Sequence, residues 1–265
     1  MGRIAVGVEY DGAPFCGWQQ QDAAPSVQQT LQQALSFVAD EPVTLTAAGR
    51  TDAGVHARAQ VAHFDTRAER SARSWVLGAN SQLPPTISLR WAQAVPDDFH
   101  ARYRALWRRY CYLILNRPAR SGLSGGRALC VHQHLEVAAM HEAVMFLIGE
   151  HDFSAFRAAE CQARSPVRHV TDLTVRRLGE WVLVDITANA FLHHMVRNIV
   201  GLLLVIGRGL APPQRAREQL ASRQRSTGEA TAAAHGLYLW QVGYPPACGL
   251  PDDSAMIGPP ELGWG

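Results

Sequence analysis

The chain has 265 residues, 47% of them hydrophobic and 18% charged, with a formal net charge of +2 at pH 7. That length allows one large domain or two of about 100 to 150 residues. The composition is too apolar for a disordered chain, five Cys are too few for a disulfide framework, and no window offers the roughly 20 apolar residues a bilayer span needs.

Ile4, Val6, Val8 and Tyr10 alternate with Ala5, Gly7 and Glu9, the period of a strand, and Asp11-Gly12 breaks it. Met1 leads into this strand without a charged-then-apolar leader, which argues against export. Ser26 and Gln29 form a capping box, and Val27, Leu31, Leu35 and Val38 predict a helix that Asp40-Glu41-Pro42 stops. Strands over Val43 to Ala48 and Arg58 to Asp65 flank the loop Gly49 to Ala57. A helix from Ser71 to Gln82 and a strand from Thr86 to Val95 complete a β-α-β-β-α-β order, a split βαβ unit.

The remainder repeats that order loosely. Strands are expected at Leu106 to Leu115, Val170 to Arg177, Trp181 to Thr187 and Leu237 to Val242, with helices at Val137 to Ile148, His193 to Ile206 and Pro212 to Arg225. The expected class is therefore α+β: two ferredoxin-like, RRM-like split βαβ halves sharing a mainly antiparallel sheet with a central cleft. The halves are expected at 1–105 and 106–244, followed by a mobile Pro/Gly-rich tail at 245–265 that holds three acids and no base.

All the basic residues are Arg, and position matters more than their sum. From Phe99 to Arg127 there are seven Arg and no acid. Such a run either repels itself until a polyanion neutralises it, which points to nucleic acid, or forms a solvated basic face. The five Cys (16, 111, 130, 161, 248) include no C-x-x-C pair and are expected as reduced thiols of a cytoplasmic protein.

Chemistry concentrates in three places. In GRTDAGVHA (Gly49 to Ala57), Gly permits close backbone approach, and a carboxylate at Asp52 beside the Arg50 cation can serve as a nucleophile or base. The plainer alternative is a turn capped by Asp52 and paired with Arg50. In the apolar helix, Arg197 has no acid between Ile186 and Leu210, so if buried it needs a carboxylate from elsewhere, with Asp52 the natural candidate; otherwise it shares a polar stripe with His193 and Asn198. In the strand Arg108 to Leu115, Tyr110 and Tyr112 share a face beside Arg108 and Arg109, a combination that suits a nucleobase and its phosphates, although strand Tyr is often packing. Phe15, Trp18 and Arg90 could also face RNA, but the sequence does not fix their direction. His132 with His134, and His193 with His194, lack a recognised ligand spacing, so no metal site is expected.

Seven blocks carry a family resemblance: EYDGAPFCGWQ (Glu9 to Gln19), AGRTDAGVHA (Ala48 to Ala57), VPDDFHARY (Val95 to Tyr103), RRYCYLI (Arg108 to Ile114), DFSAFR (Asp152 to Arg157), NAFLHHMVRNIVG (Asn189 to Gly201) and GLYL (Gly236 to Leu239). With them the chain resembles the bacterial tRNA pseudouridine synthases of the TruA type over nearly all of positions 1 to 244. The resemblance implies an isomerase that converts uridine to pseudouridine at nucleotides 38, 39 and 40 of the tRNA anticodon arm. It implies Asp52 as the catalytic carboxylate, Arg50 as its loop neighbour, Arg197 as its ion-pair partner, Tyr110 beside the target base and Leu237 as an apolar contact. Arg58, Arg108 and Arg109 are expected on the RNA. No cofactor, metal or membrane is implied, and a homodimer is. The rivals from other classes are a non-catalytic RNA-binding protein built on the same split βαβ halves and a metal-dependent hydrolase, for which the sequence offers no ligand set.

Overall fold

A computed structural model describes residues 2–21, 24–224 and 229–251. The elements are β1 (Gly2–Tyr10), α1 (Val27–Ala39), β2 (Thr46–Ala47), β3 (His56–Thr66), α2 (Ala72–Gln82), β4 (Ile87–Val95), β5 (Trp107–Asn116), β6 (Leu129–Val131), α3 (Val137–Val144), β7 (Gly149–Asp152), β8 (Val167–Leu178), β9 (Trp181–Ala188), α4 (Met195–Gly207), α5 (Arg215–Ser222) and β10 (Leu237–Gly243). No described helix is long and apolar enough to cross a membrane.

The described residues divide into two compact units, one formed by 2–107 with 238–251, the other by Arg108–Leu237. In the first, strands run in the order β4-β1-β3, antiparallel, with β2 and β10 both pairing with β3, β10 in parallel. With β2 counted beyond β3 this is the 4-1-3-2 order of a split βαβ unit. In the second, β5-β9-β8-β7 are antiparallel neighbours and β6 pairs with β5 in parallel. The last strand, expected with the second half, is grouped instead with the first from Tyr238 on, because its Tyr238 and Leu239 register with His56 and Ala57.

Helix α1 begins where the capping box predicts: Ser26 Oγ accepts from the Gln29 amide at 3.3 Å. It ends at Asp40, whose φ of 56° is left-handed. The strand expected over Val43 to Ala48 shrinks to Thr46–Ala47, and α1 is the reason. Ser36 Oγ accepts from Val43 N at 2.9 Å, Gln32 Oε1 accepts from Leu45 N at 2.9 Å, and Gln28 Nε2 donates to Leu45 O at 3.0 Å. Helix side chains thus take the donors and acceptors a ladder would use. The helix expected to Ile148 is α-helical only to Val144 and closes in a 3-10 turn, Met145–Leu147. That expected over Pro212 to Arg225 is helical over Arg215–Ser222, with left-handed Arg223 as its stop; residue 225 lies outside the described residues.

Both faces of the first unit's sheet are covered. Phe64 sets its ring edge-on to Trp75 of α2 at 5.2 Å, so the face carrying Val6, Ala62 and Phe64 meets the helices. Each large side chain fully buried there, Leu31, Leu35 and Trp75 among them, contributes about 1.5–3 kcal/mol of apolar transfer. On the opposite face Ala5, Ala48, Val61, Val95, Phe99 and Ala101 form a second cluster, closed by Trp91, Val242, Tyr244, Cys248 and Leu250. The expected mobile tail therefore starts as packed structure, since Cys248 and Leu250 lie against that cluster and Gln93 Nε2 donates to Gly249 O at 2.6 Å. Residues 252–265 of that tail lie outside the described residues.

Candidate active site

In the first unit the segment 11–18 serves as a template for the loop Gly49 to Ala57, backbone against backbone. A Cβ on Gly12 would lie 2.0 Å from Val55 O, and one on Gly17 would lie 2.8 Å from Thr51 O. Gly17 also holds φ at +92°, a conformation other residues rarely adopt. Trp18 N donates to Thr51 O at 3.0 Å, Gly54 N to Phe15 O at 3.4 Å, and Val55 N closes the turn onto Asp52 O at 3.1 Å. Tyr10 Oη and Thr51 Oγ1 share a buried hydrogen bond of 2.8 Å, and burial pushes the Tyr10 phenol well above its ordinary range. The loop's end is held by His56, buried and stacked on Tyr238 at 4.7 Å. The Gly12 amide donates to His56 Nδ1 at 3.0 Å, with Asp11 Oδ1 3.1 Å from the same nitrogen. Asp52 is half-buried at the middle of this loop and Arg50 exposed at its entry.

Arg58 follows on β3, its guanidinium 4.8 Å from the Trp240 ring centroid, and Arg90 Nη1 donates to the Arg58 carbonyl at 3.3 Å. Trp18 is buried, which gives it a packing role, and Phe15 is buried as well.

In the second unit the two tyrosines of β5 separate in role. Tyr112 is fully buried and donates to Ala233 O at 2.7 Å. Tyr110 keeps 9% exposure and meets Phe191 edge-on at 4.9 Å. Gly236 makes room for this layer, since a Cβ there would lie 2.6 Å from the Tyr112 ring; Leu237 follows it, buried, at the start of β10. Arg197 sits half-buried in the first turn of α4, where its Nε donates to Ala232 O at 2.8 Å and its own carbonyl accepts from Ala232 N at 3.1 Å. Asn198 beside it is tied to Phe156 O at 2.8 Å and Thr231 Oγ1 at 2.7 Å. Burial, and then the Arg197 charge, lower the pKa of His235, a residue the sequence did not single out.

Arg108 Nη1 donates to Asn189 O at 2.9 Å. Arg109 grips Asp185 on β9 with Nε at 2.8 Å and Nη2 at 2.5 Å, and Asp185 is buried. The Asp185 hydrogen bond raises the Arg109 pKa. Arg109→Ala leaves that carboxylate without its cation, so a stability loss of about 2–3 kcal/mol is expected, measured by chemical denaturation. Of the histidines weighed as ligands, His132 Nδ1 lies 2.8 Å from Pro118 O and His134 pairs with Glu136 at 3.3 Å.

These two α+β units, with a templated carboxylate loop in one and an arginine–tyrosine layer in the other, match a family model described as tRNA pseudouridine synthase over residues 6–104 and 143–245. The chain belongs to that family. The tRNA pseudouridine synthase A of Nitrosococcus oceani is 55% identical over 249 residues, covering 94% of this chain and 96% of its own. The protein of the same name from Vibrio cholerae is 51% identical over 257 residues, 97% of each chain, and that of Aeromonas hydrophila is 51% identical over 249 residues, 94% of this chain and 93% of its own.

Proposed function

We propose that this chain isomerises uridine to pseudouridine at nucleotides 38, 39 and 40 of the tRNA anticodon arm, with Asp52 as the catalytic carboxylate. Isomerisation of uridine in tRNA follows from the family and from relatives matched over nearly the whole chain. The observation that carries Asp52 is the fixation of its loop on the 11–18 segment, through the close backbone approach at Gly12 and Gly17 and through His56, which accepts from the Gly12 amide. A catalytic group must be held to within a fraction of an ångström, and a surface turn has no need of such a frame.

In the reaction the N1–C1′ bond breaks, the uracil turns within the site, C5 bonds to C1′, the C5 proton leaves to solvent and N1 takes up a proton from solvent; atoms balance without a cofactor. Asp52 acts ionised, and Arg197 is its proposed counter-ion. Arg50 acts as the loop neighbour of Asp52, Tyr110 lies against the target base and Leu237 supplies an apolar contact, while Arg58, Arg108 and Arg109 engage the RNA, Arg109 from its fixed position on Asp185. The protein works as a cytoplasmic homodimer on this reading.

The test is tritium release from C5-labelled uridine in an unmodified tRNA transcript with EDTA present. Release approaching one proton per target uridine is expected. Salt-sensitive tRNA binding with no release from several transcripts would favour the non-catalytic RNA-binding protein.

A further inference from the structure

The segment between β4 and β5 is a strap whose inner side is fixed from three directions. Phe99 and Ala101 are buried in one cluster with Ala48 and Val61, which bracket the Asp52 loop. Arg3, held bidentately by Asp65 at 2.7 and 2.8 Å, donates Nη1 to Asp97 O at 2.5 Å and to Phe99 O at 2.7 Å. The Ala101 amide donates to His63 Nδ1 at 3.1 Å, and Tyr244 Oη donates to Ala101 O at 2.6 Å. His63 accepts as a neutral ring; burial lowers its pKa to about 4.

The outer side of the same strap is Arg102-Tyr103-Arg104, all exposed. A lone exposed tyrosine needs no explanation. Tyr103 differs in being 77% exposed and yet mounted: its ring lies on the His100 ring, centroids 4.2 Å apart and planes 30° apart. His100 is itself locked, its Nδ1 accepting from the amides of Arg102 at 3.2 Å and Tyr103 at 3.3 Å. One face of Tyr103 is therefore occupied from below. The Arg102 guanidinium stands 5.9 Å from the ring centroid, and Arg104 pairs with Asp98, which removes the repulsion that carboxylate would exert on a phosphate. An exposed aromatic ring propped on a locked neighbour, beside a guanidinium group, is an arrangement that suits an unstacked base and its phosphate.

We propose that Tyr103 is a stacking platform for an unpaired base of the tRNA substrate, with Arg102 on the neighbouring phosphate. The proposal rests on the tRNA reading above and names a binding contact which that reading lacks.

The test compares wild type, Tyr103→Ala and Tyr103→Phe by tritium-release kinetics on full-length tRNA, by filter binding and by sedimentation. Tyr103→Ala is expected to raise KM about tenfold with kcat within about twofold, and Tyr103→Phe, which keeps the ring, to hold KM within about twofold of wild type. Because the side chain is exposed, the thermal midpoint stays put. An unchanged KM and affinity in Tyr103→Ala would overturn the proposal. So would loss of a dimer in that variant, which would mean that the ring packs against a second copy. Were wild type to release no tritium, the proposed function would fail, while the filter-binding comparison would still decide Tyr103.

Discussion

Asp52→Asn is expected to lower tritium release by at least about a thousandfold while leaving tRNA affinity within a few-fold of wild type and the thermal midpoint within about 5 °C of it. The substitution separates the two roles the sequence left open. Asn caps turns and tolerates their backbone as well as Asp does, so a carboxylate that merely closes a turn is replaced without cost. A carboxylate that must act as an anion is not, because Asn keeps the shape and loses the charge. The fold should survive because the bonds holding the loop to its template, Trp18 N to Thr51 O and Gly54 N to Phe15 O, are made by main-chain atoms that the change leaves in place. Single-turnover release and filter binding on one transcript make the comparison. Equal release by both proteins would keep the isomerisation and remove Asp52 from it.

Local signals carried much of the fold. Alternation from Ile4 to Tyr10 and the capping box at Ser26 need only neighbouring residues to be read, and β1 and α1 fall where they point. β7 (Gly149–Asp152) reads Gly-Glu-His-Asp, with no apolar alternation, and β6 has three residues, so neither offers a periodic pattern. The partial loss of β2 to the side chains of α1, and the return of β10 to β3, are decided by pairings between distant segments.

The site divides in the same way. The loop around Asp52 stands out locally because Gly, Arg and Asp crowd a short connection. Its frame does not, since Gly12 meets Val55 across 43 residues of chain. Asp185 was missed although it had a signal: it is the lone acid in the apolar run Trp181–Ala188, and a buried acid there needs a cation, which the adjacent strand's Arg109 supplies. His235 gave none, because what sets it apart is burial near Arg197, a matter of packing.

The frame itself can be broken by one methyl group. Gly12→Ala places Cβ where the nearest heavy atoms are Val55 O at 2.0 Å and Val55 C at 2.6 Å, both backbone, so no side-chain rotation relieves the overlap. The segments 11–18 and 51–56 must move apart, and the bonds between them stretch together: Gly12 N to His56 Nδ1, Gly54 N to Phe15 O and Trp18 N to Thr51 O. Overpacking of this kind costs about 1–3 kcal/mol, or roughly 3 to 10 °C in the thermal midpoint of a chain this size. The catalytic loss should be larger, because displacing a reacting group by about 1 Å is enough for a hundredfold drop in rate. Assays well below the lowered midpoint separate the two effects, kcat falling about a hundredfold while the protein remains folded. Gly122→Ala is the control, a glycine with nothing within 4 Å of its Cβ position, and should leave midpoint and rate unchanged. A Gly12→Ala protein with wild-type kcat would show that the 51–56 segment keeps its place without the template, and the precision claimed for Asp52 would have to come from elsewhere.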